Sequence, residues 1–140
     1  LTVSGVDFGD MDSQPNDTLD FSPGPFVLEN NGNVRADVKI EATSLWEVPN
    51  PTGFFQFQSA EKEPGSVPGP GDLVTTWTAL PPPGSPVMFA NNLNHQNPRD
   101  ELYGHLRIEV PQDEGAGQKS SSITFTASLP LASPHGSNAP

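Results

Sequence analysis

The stretch Pro25–Trp46, PFVLENNGNVRADVKIEATSLW, decides the fold. From Val34 onward, apolar and charged residues alternate: Val34, Ala36, Val38, Ile40 and Ala42 against Arg35, Asp37, Lys39 and Glu41. A period of two predicts a β-strand with one face on a core and the other in water. The preceding residues Asn30–Asn33 tolerate positive φ, so we expect a reversal there that pairs Phe26–Leu28 with this strand as a β-hairpin.

The same alternation returns in short segments along the rest of the chain. These segments are Leu1–Val3, Val6–Phe8, Leu19–Phe21, Phe55–Phe57, Leu73–Leu80, Val87–Phe89, Leu102–Val110 and Ile123–Leu129. The 17 Pro and 13 Gly residues punctuate the chain between them, as turns do in an all-β protein. We therefore expect an all-β fold without helices: a single Ig-like or jelly-roll-like antiparallel β-sandwich of about seven to nine strands.

The length of 140 residues suits one domain, large enough to bury roughly two thirds of its unfolded surface. We expect an N-terminal strand at residues 1–9, the β-sandwich at 10–129 and a Pro- and Ser-rich tail at 130–140. The core should contain the apolar phase of the clearest strands, because that phase faces the opposite sheet. These core residues are Val38, Ile40, Leu106, Ile108, Ile123 and Phe125.

Charge and composition exclude several classes of function. The 17 acidic residues against six Lys and Arg give a formal net charge of −11, which argues against nucleic acid as a partner because phosphate binding needs a basic face. Cysteine is absent, so disulfides and thiolate metal sites are excluded. The sequence contains no apolar run long enough to span a membrane. It starts at Leu1 without Met, and we expect a processed, secreted chain located outside the cell or at its surface.

Acidic residues crowd into the 14 residues from Asp7 to Asp20. Such oxygen-rich clusters can hold Ca²⁺ together with loop carbonyls. Ca²⁺ is therefore the one candidate cofactor, and its candidate ligands are Asp7, Asp10, Asp12 and Asp17. The spacing matches no EF-hand loop, and a solvated acidic loop is the alternative.

A second polar cluster could form a pocket, although amide-rich loops usually bond their own backbone. It comprises Asn94, His95, Asn97, Asp100 and Glu101.

The sequence predicts no enzyme, because it shows neither a nucleophile beside a base nor two carboxylates placed for catalysis. The three His residues lie in separate segments, without the paired spacing of a zinc site.

The aromatic residues indicate either core packing, which we favour, or a sugar-stacking platform. They are Trp46, Trp77, Tyr103 and the Phe54–Phe57 cluster. Asn16-Asp17-Thr18 matches the N-glycosylation sequon, so Asn16 is a candidate acceptor at the surface.

Four motifs follow one another in an order found in a known family. They are GVDFG at Gly5–Gly9, PFVLENNGNVRADVKI from Pro25, a strand that ends at Trp46, and the closing SSITFTAS at Ser121–Ser128. Over roughly residues 3–129 the chain resembles the secreted β-sandwich filament subunits of the TasA and camelysin type and the related archaeal bundling pili. The insertion Ala60–Pro86 and the Pro-rich tail depart from this pattern.

The resemblance implies polymerisation by donor-strand complementation, in which the N-terminal strand of one subunit completes the sheet of the next. The implied donor is Leu1–Phe8, which would act through Leu1, Val3, Val6 and Phe8. We therefore expect an extracellular structural protein, a subunit of a pilus-like filament or surface layer whose partners are other copies of itself. The alternative is a cell-surface accessory or binding module, an Ig-like domain that binds glycan or Ca²⁺. An exposed aromatic platform would favour that alternative.

Overall fold

A computed structural model of the protein describes residues 1–3, 18–20, 26–47, 55–111, 114–115 and 117–130. These residues form nine β-strands and a single 3₁₀ helix of three residues, which confirms the predicted all-β fold. The strands are β1 (Thr2–Val3), β2 (Thr18–Asp20), β3 (Phe26–Glu29), β4 (Ala36–Ala42), β5 (Phe55–Glu61), β6 (Thr78–Ala79), β7 (Val87–Leu93), β8 (Glu101–Glu109) and β9 (Ile123–Ser128). The 3₁₀ helix, Pro70–Asp72, lies between β5 and β6.

The strands form two antiparallel sheets that pack face to face as a β-sandwich. The larger sheet has the order β1-β3-β8-β5-β6, and β2 also pairs with β8. β2 and β3 lie end to end along one side of β8, because Thr18–Asp20 pairs with Arg107–Glu109 and Phe26–Glu29 pairs with Glu101–Gly104. The smaller sheet has the order β7-β4-β9. β8 and β4 are therefore the central strands of their sheets.

The core lies between the sheets, on the alternating faces that the sequence predicts. In β4 every second residue is buried from Ala36 to Ala42, whereas Lys39 is exposed. All six residues predicted for the core belong to it: Val38, Ile40, Leu106 and Ile108 are buried, and Ile123 and Phe125 are half-buried and pack against buried residues. The alternating pattern therefore predicted both the register of β4 and the face that packs on the opposite sheet.

The predicted hairpin between β3 and β4 is wrong. β3 pairs with β1 and β8, whereas β4 pairs with β7 and β9, so the two strands belong to different sheets. Residues 30–35 form an arch that carries the chain from one sheet to the other, and none of them has a positive φ. Val34, which the alternation assigned to the core face, lies in this arch and is 46% exposed. The chain bends at residues 32–34, but it forms no two-residue hairpin turn there.

Asn30 holds the arch from within, where its side chain is only 4% exposed. Its Nδ2 donates hydrogen bonds to the carbonyl oxygens of Val34, at 3.0 Å, and Leu93, at 3.1 Å. Its Oδ1 accepts one from the N–H of Gly32 at 3.1 Å. Its own backbone N–H donates to the carbonyl oxygen of Asp100 at 3.0 Å. One residue thus joins the end of β3, the arch, the end of β7 and the segment that enters β8.

Ser59 provides a second polar link between the sheets. Its hydroxyl donates to the carbonyl oxygen of Phe89 in β7 at 2.8 Å and accepts from the N–H of Val74 at 2.8 Å. Leu73 forms an isolated β-bridge with Ala90, a residue that also pairs with β4. Leu73 therefore lies on the edge of β7 that faces away from β4, and it covers this edge at Ala90.

We expect Asn30→Ala to lower the free energy of unfolding by about 1 to 3 kcal/mol, because it removes the partners of two carbonyl groups and one N–H. Asn33→Ala is the matched control, since Asn33 is exposed in the same arch, and it should change stability by less than about 0.5 kcal/mol. Urea denaturation followed by tryptophan fluorescence measures both values. Equal effects of the two substitutions would contradict the structural role of Asn30.

Candidate functional site

Several residues predicted as sites lie outside the described residues. They are Val6 and Phe8 of the donor strand, the acidic residues Asp7, Asp10, Asp12 and Asp17, and the sequon residue Asn16. Their assigned roles stay predictions. The start of the donor segment is described: Thr2 and Val3 form β1 and pair with Glu29 and Leu28 of the same chain. The single chain therefore places its N-terminus on an edge of its own larger sheet.

β9 presents an open edge. It pairs with β4 along all six of its residues, and no strand in the described part of the chain pairs with its other side. The N–H of Thr43 donates to the carbonyl oxygen of Ser122, and the N–H of Ser122 donates to Thr43 Oγ1. Backbone groups alternate in direction along an antiparallel ladder. The N–H and C=O groups that point away from β4 are therefore those of Ile123, Phe125 and Ala127.

The other strands at the sides of the two sheets have shorter or partly covered edges. β1 and β6 contain two residues each. β7 contains seven residues, but the bridge from Leu73 to Ala90 and the hydroxyl of Ser59 occupy the middle of it. Among the described strands, β9 is therefore the longest one with an edge that is unpaired along its whole length.

The composition of β9 does not protect this edge. Its sequence, ITFTAS, contains no charged residue and no Pro, the two features that most often discourage pairing between edges. The ring of Phe125 lies 5.4 Å from that of Phe26 and 5.1 Å from that of Phe89, yet Phe125 and Ile123 are only half-buried. An added strand would find both free backbone groups and apolar side chains that it could cover.

A groove of about 330 Å³ lies at the end of β9. It is lined by Leu1, by Asn30 and residues 32–36 at the arch, and by Ala127–Leu129. Three large apolar side chains around it are exposed: Leu1 at 40%, Val34 at 46% and Leu129 at 72%. The N-terminus of the chain and the open edge of β9 thus border one apolar groove, although the sequence separates them by more than a hundred residues.

The outer face of the larger sheet is a second candidate surface. On β8, Tyr103, His105 and Arg107 point away from the core. On β5, Gln56 lies opposite Arg107 and Gln58 lies opposite His105. All five residues are half-buried. They form a band of polar and aromatic groups, which we call the outer-face band.

The aromatic residues predicted as a platform separate into two groups. Trp46 and Phe57 are buried and belong to the core, Phe55 packs against it, and Phe54 lies outside the described residues. Tyr103 belongs to the outer-face band. Trp77 is half-buried and lies beside this band, where the guanidinium of Arg107 lies 5.8 Å from the centre of the Trp77 ring. The preference for core packing is therefore right for one Trp and not for the other.

The second predicted polar cluster lies in the loop before β8, and its residues do not form one site. Asn94 Oδ1 accepts hydrogen bonds from the N–H groups of His95, at 2.7 Å, and Gln96, at 3.2 Å, so this amide bonds its own loop as expected. Asn97 is exposed. The carboxylates of Asp100 and Glu101 instead meet that of Glu63, with one oxygen of each within 4.8 Å of the others. The sequence carried no signal for Glu63, because only the pairing of β5 with β8 brings it there.

Comparisons with protein-family models, with curated proteins and with solved structures each found no match to this chain. No helix among the described residues is both long enough and apolar enough to cross a membrane. The function of this protein is therefore inferred from its two surfaces, the open edge of β9 and the outer-face band.

His105, in the outer-face band, makes the stability of the folded protein dependent on pH. Burial lowers the pKa of His105 below its usual value. As pH falls from about 7.5 to 5.5, the unfolded chain therefore takes up this proton before the folded protein does, and stability is lost. We expect His105→Gln to reduce the fall in melting temperature over this range, as measured by calorimetry. A fall as large as that of the unmodified protein would contradict this assignment.

Proposed function

We propose that this protein is an extracellular structural subunit that assembles with copies of itself into a pilus-like filament or surface layer by β-strand addition. The observation that carries the proposal is the open edge of β9, six residues without charge or Pro. Unpaired N–H and C=O groups on such an edge accept an incoming strand, and side chains on alternate positions then determine its register.

The N-terminal segment Leu1–Phe8 of a neighbouring copy is the strand that we propose for this edge. Its apolar residues alternate in two short runs, Leu1 with Val3 and Val6 with Phe8. One face of the added strand would lie over Ile123 and Phe125 and complete their burial. The remaining apolar side chains of the groove would be covered in the same step.

The described part of this segment makes a short pairing with its own sheet. There β1 consists of two residues, whose partners are Leu28 and Glu29 of β3. The ladder bonds of these two residues would have to break before they leave β3, and bonds along β9 of the neighbour would replace them. Exchange of an identical segment between copies is a route to assembly with a small net cost.

Charge opposes this assembly. A formal net charge of −11 on each copy makes copies repel one another, and salt screens such repulsion beyond about 8 to 10 Å. Filaments should therefore form more readily as the ionic strength rises, because the ladder bonds and apolar contacts that favour association are short-ranged.

Electron microscopy of the purified protein tests the proposal, and filaments are the expected result. Ala127→Pro removes one outward N–H of β9 without removing a bond to β4, so we expect it to prevent filaments and to keep the monomer folded by circular dichroism. Ala127→Thr keeps the N–H and is the matched control that should still polymerise. If Ala127→Pro forms filaments normally, β9 is not the acceptor.

Deletion of Leu1–Phe8 tests the donor side of the same prediction. The truncated chain should remain monomeric in analytical ultracentrifugation. A peptide of residues 1–8 should raise its melting temperature without forming polymers. Filaments of the truncated chain would show that this segment is not the donor.

A glycan-binding module is the second candidate function, and the outer-face band favours it. A half-buried Trp beside Gln, His and Arg side chains combines a stacking surface with hydrogen-bonding groups, the combination that orients polar ligands. If this candidate is right, soluble polysaccharides should change the tryptophan fluorescence, and Trp77→Ala should abolish the change. Trp46 lies in the core and supplies a constant background. Fluorescence that does not respond to polysaccharide would remove this candidate.

A further inference from the structure

Three carboxylates from two segments meet at one end of the larger sheet. Glu63 follows β5, Asp100 precedes β8, and Glu101 is the first residue of β8. One oxygen from each carboxylate lies within 4.8 Å of the other two. Backbone bonds fix this meeting point, because the N–H groups of Lys62 and Glu63 both donate to the carbonyl oxygen of Glu101, at 3.1 and 3.3 Å.

Asp100 provides a second and independent observation. Its side chain is only 3% exposed, and its Oδ1 is enclosed without a hydrogen-bond partner. Its backbone groups are satisfied: the N–H donates to Glu63 Oε1 at 3.1 Å, and the carbonyl accepts from Asn30 at 3.0 Å. A buried carboxylate oxygen that accepts no hydrogen bond destabilises the folded protein. The described protein groups enclose this oxygen and supply it with no donor, and the carboxylate to which it belongs lies beside those of Glu63 and Glu101.

Lys62 does not neutralise the group. Its Nζ lies 3.2 Å from Glu101 Oε1, where both side chains are partly exposed, and this hydrogen bond raises the pKa of Lys62. Three carboxylates and one ammonium carry two net negative charges. A divalent cation matches that charge.

The donor atoms and their spacing select the cation. The group contains only carboxylate oxygens, with neither His nor Cys, and such ligands suit hard cations. Ca²⁺ binds oxygen at about 2.3 to 2.6 Å, so oxygens on opposite sides of the ion lie about 4.6 to 5.2 Å apart. The spread of up to 4.8 Å fits this shell. Mg²⁺, at about 2.0 to 2.1 Å, has a shell about 4.2 Å across and would require the group to contract.

We propose that Glu63, Asp100 and Glu101 bind Ca²⁺, with water completing the coordination shell. The ion would join the loop after β5 to the start of β8, beside the backbone bond from Asn30. It would stabilise the folded protein, because the unfolded chain does not bring residue 63 to residues 100 and 101. This site uses none of the acidic N-terminal candidates as ligands, and it does not depend on strand exchange.

Calorimetric titration of the protein with CaCl₂, after treatment with EDTA, tests the site directly. At a Ca²⁺ concentration about 100-fold above the Kd, the melting temperature should rise by about 5 to 10 °C relative to EDTA. Glu63→Gln and Asp100→Asn each remove a charge but keep an acceptor oxygen, and each should weaken Ca²⁺ binding at least about tenfold. Glu109→Gln, at the other end of β8, is the matched control that should bind Ca²⁺ normally.

Three results would overturn the proposal. The first is an unmodified protein that gives neither heat nor a shift of melting temperature with CaCl₂. The second is normal Ca²⁺ binding by both Glu63→Gln and Asp100→Asn, which would place the ion elsewhere. The third is tighter binding of MgCl₂ than of CaCl₂. The monomeric Ala127→Pro protein should bind Ca²⁺ like the unmodified protein, so a failure of assembly and a failure of this site are distinguishable.

Discussion

One buried amide, that of Asn30, holds the chain where it crosses from one sheet to the other. A chain that leaves one sheet for the other exposes backbone groups at the crossing, and in the interior these groups need partners. The Asn30 side chain supplies partners to Val34, Leu93 and Gly32, and its backbone N–H bonds the carbonyl of Asp100. These bonds hold the crossing from β3 to β4 in place. Asn30 also lines the groove beside β9, and its backbone N–H bonds the residue whose carboxylate lies beside those of Glu63 and Glu101.

The sequence predicted what depends on neighbouring residues. Alternation from Ala36 to Ala42 gave the strand and its buried face, because burial on one side of a strand leaves a period of two in any topology. The hairpin was wrong because Asn30–Asn33 suits an arch as well as a hairpin turn. Strands that are distant in the sequence decide between the two, because β3 pairs with residues 101–104 and β4 pairs with residues 123–128. No local pattern carries that information.

The candidate sites were less predictable for the same reason. ITFTAS reads equally well as a central or an edge strand, and only the complete topology shows that one side of β9 is open. Glu63 and Asp100 are 37 residues apart, and the pairing of β5 with β8 brings them together. An enclosed oxygen on Asp100 is a property of the packed protein and has no counterpart in composition. The amides of the same loop followed the local rule, because their partners are their immediate neighbours.

The late position of β8 and β9 in the sequence determines when the two sheets can form during synthesis. β8 holds together β2, β3 and β5, but it ends only at residue 109, and β4 obtains its second partner only at residues 123–128. A chain emerging from the ribosome therefore makes most of its strands before either sheet can close. Such distant pairings fold slowly, and incomplete chains expose strand edges that aggregate. The nascent chain thus stays open to chaperones until residues 101–109 and then residues 123–128 have been made.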